Sequence, residues 1–261
     1  MKNLLLLAIA IPLFSLAASD STTTKNFKRL YIGASFNPGI AYRLLSYKAV
    51  NLEPPLTDSL FKAVFFEARE KEERPTFGFT AGCTFGVNIL KWLSVETGVN
   101  YSMKGYKRTI HNLTMGTSYD SVGTLDPAKV YTLRRSATYH YLQIPVGFNF
   151  RLGSKRTKAC IRTGINFEWL LATTLQSKFS SKASGSEIFK NTSYKFQHTN
   201  TLNYSPYLGV GVSYEINRAM CLEIMPMAQI QVISTDQTPV SMRFWNAGIN
   251  IAFNYGFVEA R

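Results

Sequence analysis

The sequence predicts an all-β fold: an eight-stranded antiparallel up-and-down transmembrane β-barrel with short periplasmic turns and long extracellular loops. Three observations predict it. Eight segments alternate apolar and polar residues with the period of a strand, which sends successive side chains to opposite faces. Their connections alternate short and long, the layout of an outer-membrane barrel. After Phe14 no segment is apolar for long enough to cross a membrane as a helix.

The elements follow in chain order. Residues 1–18 read as a secretory signal peptide: Lys2, an apolar run from Leu4 to Phe14, then Ser15 and Ala17 before cleavage after Ala17 or Ala18. A lipoprotein anchor needs a Cys at that point, and alanine stands there. A polar leader (19–28), the barrel (29–257) and a short tail (258–261) complete the expected division. The first strand runs from Arg29 to Arg43, with Leu30, Ile32, Ala34, Phe36 and Ile40 on one face. The second, Thr76 to Ile89, sets Phe77, Phe79, Cys83, Phe85 and Val87 against glycines, threonines and Asn88. The third, Leu93 to Tyr106, sets Val95, Val99, Tyr101 and Met103 against Glu96, Gly98, Asn100, Ser102 and Lys104.

The fourth strand, Tyr139 to Leu152, opposes Leu142, Ile144, Val146, Phe148 and Phe150 to Gln143, Gly147, Asn149 and Arg151. The fifth, Ala159 to Leu175, opposes Ile161, Ile165, Phe167 and Trp169 to Arg162, Gly164, Asn166 and Glu168. The sixth (Tyr204 to Ile216) and seventh (Ala219 to Ile233) carry Glu215 and Glu223 on their polar faces. The eighth, Trp245 to Phe257, has an aromatic-ended apolar face and an Asn/Gly face. Within the first long connection, Thr57 or Asp58 caps a predicted helix. Leu60, Phe61, Val64 and Phe65 share one face of it, and it runs into the charged stretch Glu67 to Arg74.

Face chemistry decides which side meets lipid. A soluble carrier would turn its apolar face inward, but these faces are crowded with Phe, Tyr and Trp and would overfill so small a barrel. Trp92, Trp169, Trp245 and Tyr255 lie near strand ends, as interfacial girdles require. The polar faces hold Glu96, Arg151, Arg162, Glu168, Glu215 and Glu223, a lumen set of both signs able to pair across a narrow interior. Such charges serve either as a conduction path or as an internal plug, and the filling of an eight-stranded lumen by side chains favours the plug.

Catalytic, cofactor and metal sites are not expected. Cys83, Cys160 and Cys221 have no metal spacing and read as free thiols. His111, His140 and His198 fall in or beside predicted loops, without ligand spacing. Asp120, Asp126 and His111 are the raw material for a rim enzyme, with nothing in the sequence to fix their geometry. The net charge of +13 points to an acidic partner. For an exported chain that means phosphate-bearing lipid and lipopolysaccharide rather than nucleic acid. Segments 107–137 and 176–200 supply Lys107, Arg108, Lys129, Arg134, Arg135, Lys178, Lys182, Lys190 and Lys195 for such contacts.

Three runs carry a family resemblance: Gly78-Phe-Thr-Ala-Gly82, Leu93-Ser-Val-Glu-Thr-Gly-Val-Asn-Tyr-Ser-Met-Lys-Gly-Tyr106, and Tyr141-Leu-Gln-Ile-Pro-Val-Gly-Phe148. The chain resembles the outer-membrane β-barrel family of Bacteroidota labelled PorT-like. The resemblance covers nearly all of the mature chain, and its Tyr-Leu-x-Ile-Pro and Thr-Gly-x-x-Tyr-Ser-x-Lys-Gly stretches mark barrel construction. Asn246, Gly248, Ile251 and Phe253 look like the signal read by the barrel-insertion machinery, although Val258 to Arg261 follow the last aromatic. The expected function is a non-catalytic outer-membrane barrel with a structural or interaction role and an unidentified protein partner. The resemblance implies a part accessory to secretion or envelope assembly. A narrow channel and an enzyme with a site at the extracellular rim are the alternatives.

Overall fold

The computed structural model describes residues 28–47, 62–114, 130–181, 187–194, 200–217, 219–235 and 240–259. The expected signal peptide, leader residues 19–27, Thr57, Asp58, Leu60, Phe61, Asp120, Asp126, Lys129, Lys182, Lys195, His198, Ala260 and Arg261 lie outside them.

Nine strands follow in order: β1 (Lys28–Tyr47), β2 (Glu73–Leu90), β3 (Leu93–Thr114), β4 (Val130–Leu152), β5 (Thr157–Ser181), β6 (Glu187–Tyr194), β7 (Leu202–Glu215), β8 (Met220–Ile230) and β9 (Val240–Glu259). Eight of them form a ring. Each pairs antiparallel with its neighbour in sequence, β5 pairs with β7, and β9 pairs with β1 from Tyr47↔Val240 to Lys28↔Glu259. Closure leaves no strand edge in the hydrocarbon, where an unpaired backbone N–H or C=O has no water to turn to. The extra strand, β6, pairs with β5 alone, at its loop end.

The faces sort as alternation requires. Ile251 is 43% exposed while its neighbour Asn250 is 3% exposed. Ile32, Phe36, Val99, Phe148, Phe167, Leu208 and Phe253 also point outward, and no core stands behind them on that side. At the turn rim Trp92 stacks on Phe150, with centroids 6.1 Å apart. Toward the loop rim Tyr42 meets Trp245 edge-on at 6.5 Å. The hydrophobic surface is therefore a belt with aromatic margins.

Several boundaries differ from expectation. The ladders of β3, β4 and β5 continue past the belt, pairing Thr114 with Val130 and Tyr131 with Ser181, so much of the predicted loops is strand. Backbone pairing propagates wherever β-forming residues face each other, whether or not the hydrophobic alternation persists. His111 accordingly lies within β3 and not in a loop, and His140 lies within β4, inside the strand the alternation predicted. His140 stacks on Tyr101 at 6.0 Å, and each of its ring nitrogens has a hydroxyl partner, Tyr101 on one and Thr174 on the other. β3 has a register break between Ile110 and Leu113, where Asn112 adopts a positive φ of 56° that Asn tolerates.

Among the described residues the predicted helix corresponds to a π-helical turn over Lys62–Glu67 and a short α-helix, α1 (Ala68–Glu72). The charged run after it ends in strand, because Glu73 opens β2 and its carboxylate is captured inside the barrel. β8 stops at Ile230, short of the expected Ile233. There the Gln231 side chain accepts from the Phe244 backbone N–H and from Thr235 Oγ1, which turns the chain inward. The three cysteines are unbridged.

Ile251 lies midway along the belt on β9. Ile251→Arg is expected to lower the unfolding free energy by about 2–4 kcal/mol, and Tyr255→Arg near the turn rim by about 1 kcal/mol at most. Urea titration of the folded barrel in phospholipid vesicles measures both.

Candidate functional site

Charged side chains converge in the lumen, which is built in layers. Nearest the turns, Glu96 on β3 and Glu223 on β8 stand on opposite walls, four strands apart around the ring. Two arginines bridge them. Arg162 Nε lies 2.9 Å from Glu96 Oε2 and its Nη2 2.7 Å from Glu223 Oε2, while Arg151 Nε donates to Glu223 Oε1 at 2.7 Å. Asn149 Nδ2 donates to Glu96 at 2.9 Å, and Arg151 Nη1 to Asn88 Oδ1 at 3.1 Å. Two carboxylates and two guanidiniums cancel, which keeps the cost of burial tolerable.

Tyr31 reaches this layer from β1. Its hydroxyl donates to Glu96 and lies 3.1 Å from Ser94 Oγ. The ring lies over its cross-strand neighbour Gly86, where a Cβ would come within 2.0 Å of Tyr31 Cζ. Tyr207 does the same over Gly147 and Gly164, whose Cβ atoms would sit 2.2 and 2.7 Å from its hydroxyl. Glycine stands at these positions because the aromatic occupies the space a side chain would take.

The second layer centres on Glu168 of β5. Lys104 Nζ donates to Oε1 at 2.6 Å, Gln143 Nε2 to the same oxygen at 2.7 Å, and Gln231 Nε2 to Oε2 at 2.6 Å. All four residues are buried. A polar chamber of about 40 Å³ separates the two layers, with Glu96 and Arg162 on one side, Gln143 on the other, and Asn37, Asn100 and Asn250 in its wall.

Beyond it the interior turns apolar. Tyr139, Tyr141, Leu170, Met242 and Phe244 form a buried cluster, with Tyr139 and Phe244 centroids 4.6 Å apart. At the loop end of this cluster Arg43 Nε donates to Glu73 Oε2 at 2.7 Å, and the guanidinium carbon lies 3.5 Å from the Tyr106 ring centroid. Arg108 Nε then holds Glu72 Oε2 at 2.8 Å, tying α1 to the mouth.

Of the sequence-predicted lumen set, the structure brings Glu96, Arg151, Arg162 and Glu223 together and puts Glu168 in a separate layer. Glu215 joins neither. It sits at the turn rim, 2.5 Å from Lys158 Nζ and partly exposed. Sequence reasoning left out Lys104, although the parity that turns Glu96 inward turns Lys104 inward too. It also left out Arg43 and Glu73, whose pairing joins two segments separated by a long connection. In β9, Asn246 is buried in the lumen, Gly248 packs under the Pro38 carbonyl, and Ile251 and Phe253 face outward. Among the described residues no group of three or more His, Cys, Asp or Glu is placed to hold a metal ion.

The family description "Outer membrane protein beta-barrel domain" matches residues 61–224, more than half of the chain. The chain belongs to this family. Its membership locates it in the outer membrane, in agreement with the lipid-facing belt. Among solved structures it is similar to Neisserial surface protein A, at 12% identity over 87% of this chain and 97% of that one, with a TM-score of 0.35. It is also similar to OprG from Pseudomonas aeruginosa, at 11% identity over 89% of this chain and 98% of that one (TM-score 0.28). A third is the outer membrane protease OmpT from Escherichia coli, at 9% identity over 92% and 100% (TM-score 0.32). No curated protein matches the sequence.

Lys104→Met in this family member leaves Glu168 buried and uncompensated, with an expected loss of about 3–5 kcal/mol. Adding Glu168→Gln removes the orphaned charge, keeps one acceptor oxygen for Gln231, and presents an amide NH2 to Gln143, whose own Oε1 has no other partner and can turn to accept it. The double variant is expected to recover at least about half of that loss, since removing both charges of a buried pair costs less than removing one. Equilibrium unfolding of the single and double variants checks this.

Proposed function

We propose that this chain is a non-catalytic, non-conducting outer-membrane barrel with a structural or interaction role, exported with a cleaved signal peptide. The bridging of opposite walls by Arg151 and Arg162 carries the reading. A path along the axis meets this charge layer, the Lys104–Glu168 layer and the apolar cluster in turn. Each fills the section with ion-paired or packed side chains, and opening any of them strands buried charge or apolar surface. Of the carboxylates described near the loop rim, Glu72 and Glu73 are held by Arg108 and Arg43, which argues against the use of these two as acid or base.

The Thr97-Gly-x-x-Tyr-Ser-x-Lys-Gly105 and Tyr141-Leu-x-Ile-Pro145 stretches support assignment to the PorT-like branch of Bacteroidota. With it comes a part accessory to secretion or envelope assembly, played with an unidentified protein partner. The pattern at Asn246, Gly248, Ile251 and Phe253 supports recognition of β9 by the barrel-insertion machinery.

Purified, heat-modifiable barrel in planar lipid bilayers is expected to give no discrete openings; reproducible ohmic steps would overturn the plugged reading. Intact mass of the protein isolated from outer membranes is expected to correspond to a chain beginning at Ala18 or Ser19. Retention of residues 1–17 would remove the cleaved signal.

A further inference from the structure

The inner face of the mouth carries more guanidinium than its carboxylates hold. Arg108 stands directly opposite Arg135, and Arg135 opposite Ser177, in one row across β3, β4 and β5. This row faces the axis, because Leu133 and Ala137, two positions to either side of Arg135 on β4, are buried. Directly opposed positions on antiparallel strands have Cβ atoms about 4.5–5.5 Å apart, and like charges there repel. By register the same-face neighbours of Arg135 are Tyr106, Arg108 and Ile110 on β3 and Leu175, Ser177 and Phe179 on β5, with no acid among these six. Its Nε is buried and has no hydrogen-bond partner among the described residues.

Arg69 brings a further guanidinium to the same place. It stands on α1, which Glu72 fastens to the mouth through Arg108. Burial first, then the Arg43 and Arg108 guanidiniums, push its pKa down, and Tyr106 and Glu73 offset them only in part. A cation is thus half-buried against two others. The carboxylates beside it are committed, Glu73 to Arg43 and Glu72 to Arg108. Glu67 and Glu70, on the same stretch, are exposed, and the charge of Glu70 acts on Tyr42, whose ring meets Trp245 on the outer wall. Arg43 is itself spent on Glu73, on Met242 Sδ at 3.0 Å and on the Tyr106 ring.

The donors left over are those of Arg69 and Arg135 and the second amino group of Arg108. A guanidinium presents its N–H groups in a planar fork that matches phosphate oxygens. Inside the mouth four guanidiniums, of Arg43, Arg69, Arg108 and Arg135, meet two carboxylates. A phosphate ester, with about 1.5 to 2 negative charges at neutral pH, cancels that excess, where a carboxylate would cancel only part of it. Because the row faces the axis and not the lipid, its ligand comes from solution. We propose that Arg69, Arg108 and Arg135, with the Ser177 hydroxyl beside them, form a binding site for a soluble phosphate ester in the extracellular mouth of the barrel. The site does not depend on whether the lumen conducts.

Arginine labelling by phenylglyoxal, read residue by residue by tandem mass spectrometry on the folded full-length barrel in detergent, tests this with inorganic pyrophosphate as the probe. At about ten times its dissociation constant, pyrophosphate is expected to slow labelling of Arg69 and Arg135 roughly tenfold. Labelling of Arg29 and Arg156, exposed at the turn rim, is expected to stay unchanged. Equal protection of all four, or none at Arg69 and Arg135, would overturn the proposal. Isothermal titration calorimetry of the same probe is expected to show affinity at least about tenfold weaker in the Arg69→Gln, Arg135→Gln double variant and unchanged in Arg29→Gln, Arg156→Gln. Heat modifiability establishes that both are folded. Absence of saturable binding to the parent, parent affinity in the first variant, or an equal loss in the second would overturn it. Dihexanoyl phosphatidic acid, titrated in place of pyrophosphate, separates a lipid source, and stronger protection by it at Arg69 and Arg135 would overturn the assignment to a soluble ligand.

Discussion

Everything in this structure depends on the hydrogen-bonded seam between β1 and β9. A sheet in lipid cannot leave an edge, because each unpaired backbone group there costs several kcal/mol. The seam runs from Tyr47↔Val240 to Lys28↔Glu259 and turns an open meander into a ring. Once the ring closes at eight strands, its interior is narrow and its outward residues must be apolar. Lumen filling, belt and girdles follow from that one closure.

The narrow lumen then imposes its own chemistry. Opposite walls are close enough for Arg162 on β5 to touch both Glu96 on β3 and Glu223 on β8. In the arginine layer large rings lie over glycines, as with Tyr31 over Gly86. Charge and volume are matched layer by layer. At the loop end, where the walls rise out of the belt, the interior changes from ionic to apolar around Tyr139 and Phe244. Above the membrane the wall is wetted outside, so an apolar inside acts as an ordinary core.

Much of this was legible in the sequence. The period-2 pattern located all eight ring strands, because a wall with lipid on one side and a polar lumen on the other leaves an alternation too strict to miss. The same parity predicted that Glu96, Arg151, Arg162, Glu168 and Glu223 face inward. It missed the extent of β3, β4 and β5, since above the belt both faces of a strand carry polar residues and the alternation fades while the ladder continues. It missed β6 for the same reason. Glu73 was read as one of the charged stretch Glu67 to Arg74, because a glutamate between Glu72 and Arg74 carries no mark of a buried partner thirty residues earlier.

The sequence by itself determined the class of fold, the direction each strand residue faces and the side that meets lipid, because these depend only on local periodicity and on which side chains lipid tolerates. Tertiary structure alone decided which inward charges meet. Glu168 pairs with Lys104 and leaves the arginine layer, and Glu215 is carried out to the turn rim, because strand tilt and stagger set the height of each residue along the axis. The proximity of Lys107, Arg134 and Lys178 was decided in the same way. Their charges are written in three separate segments, and only the register of β3, β4 and β5 makes them neighbours.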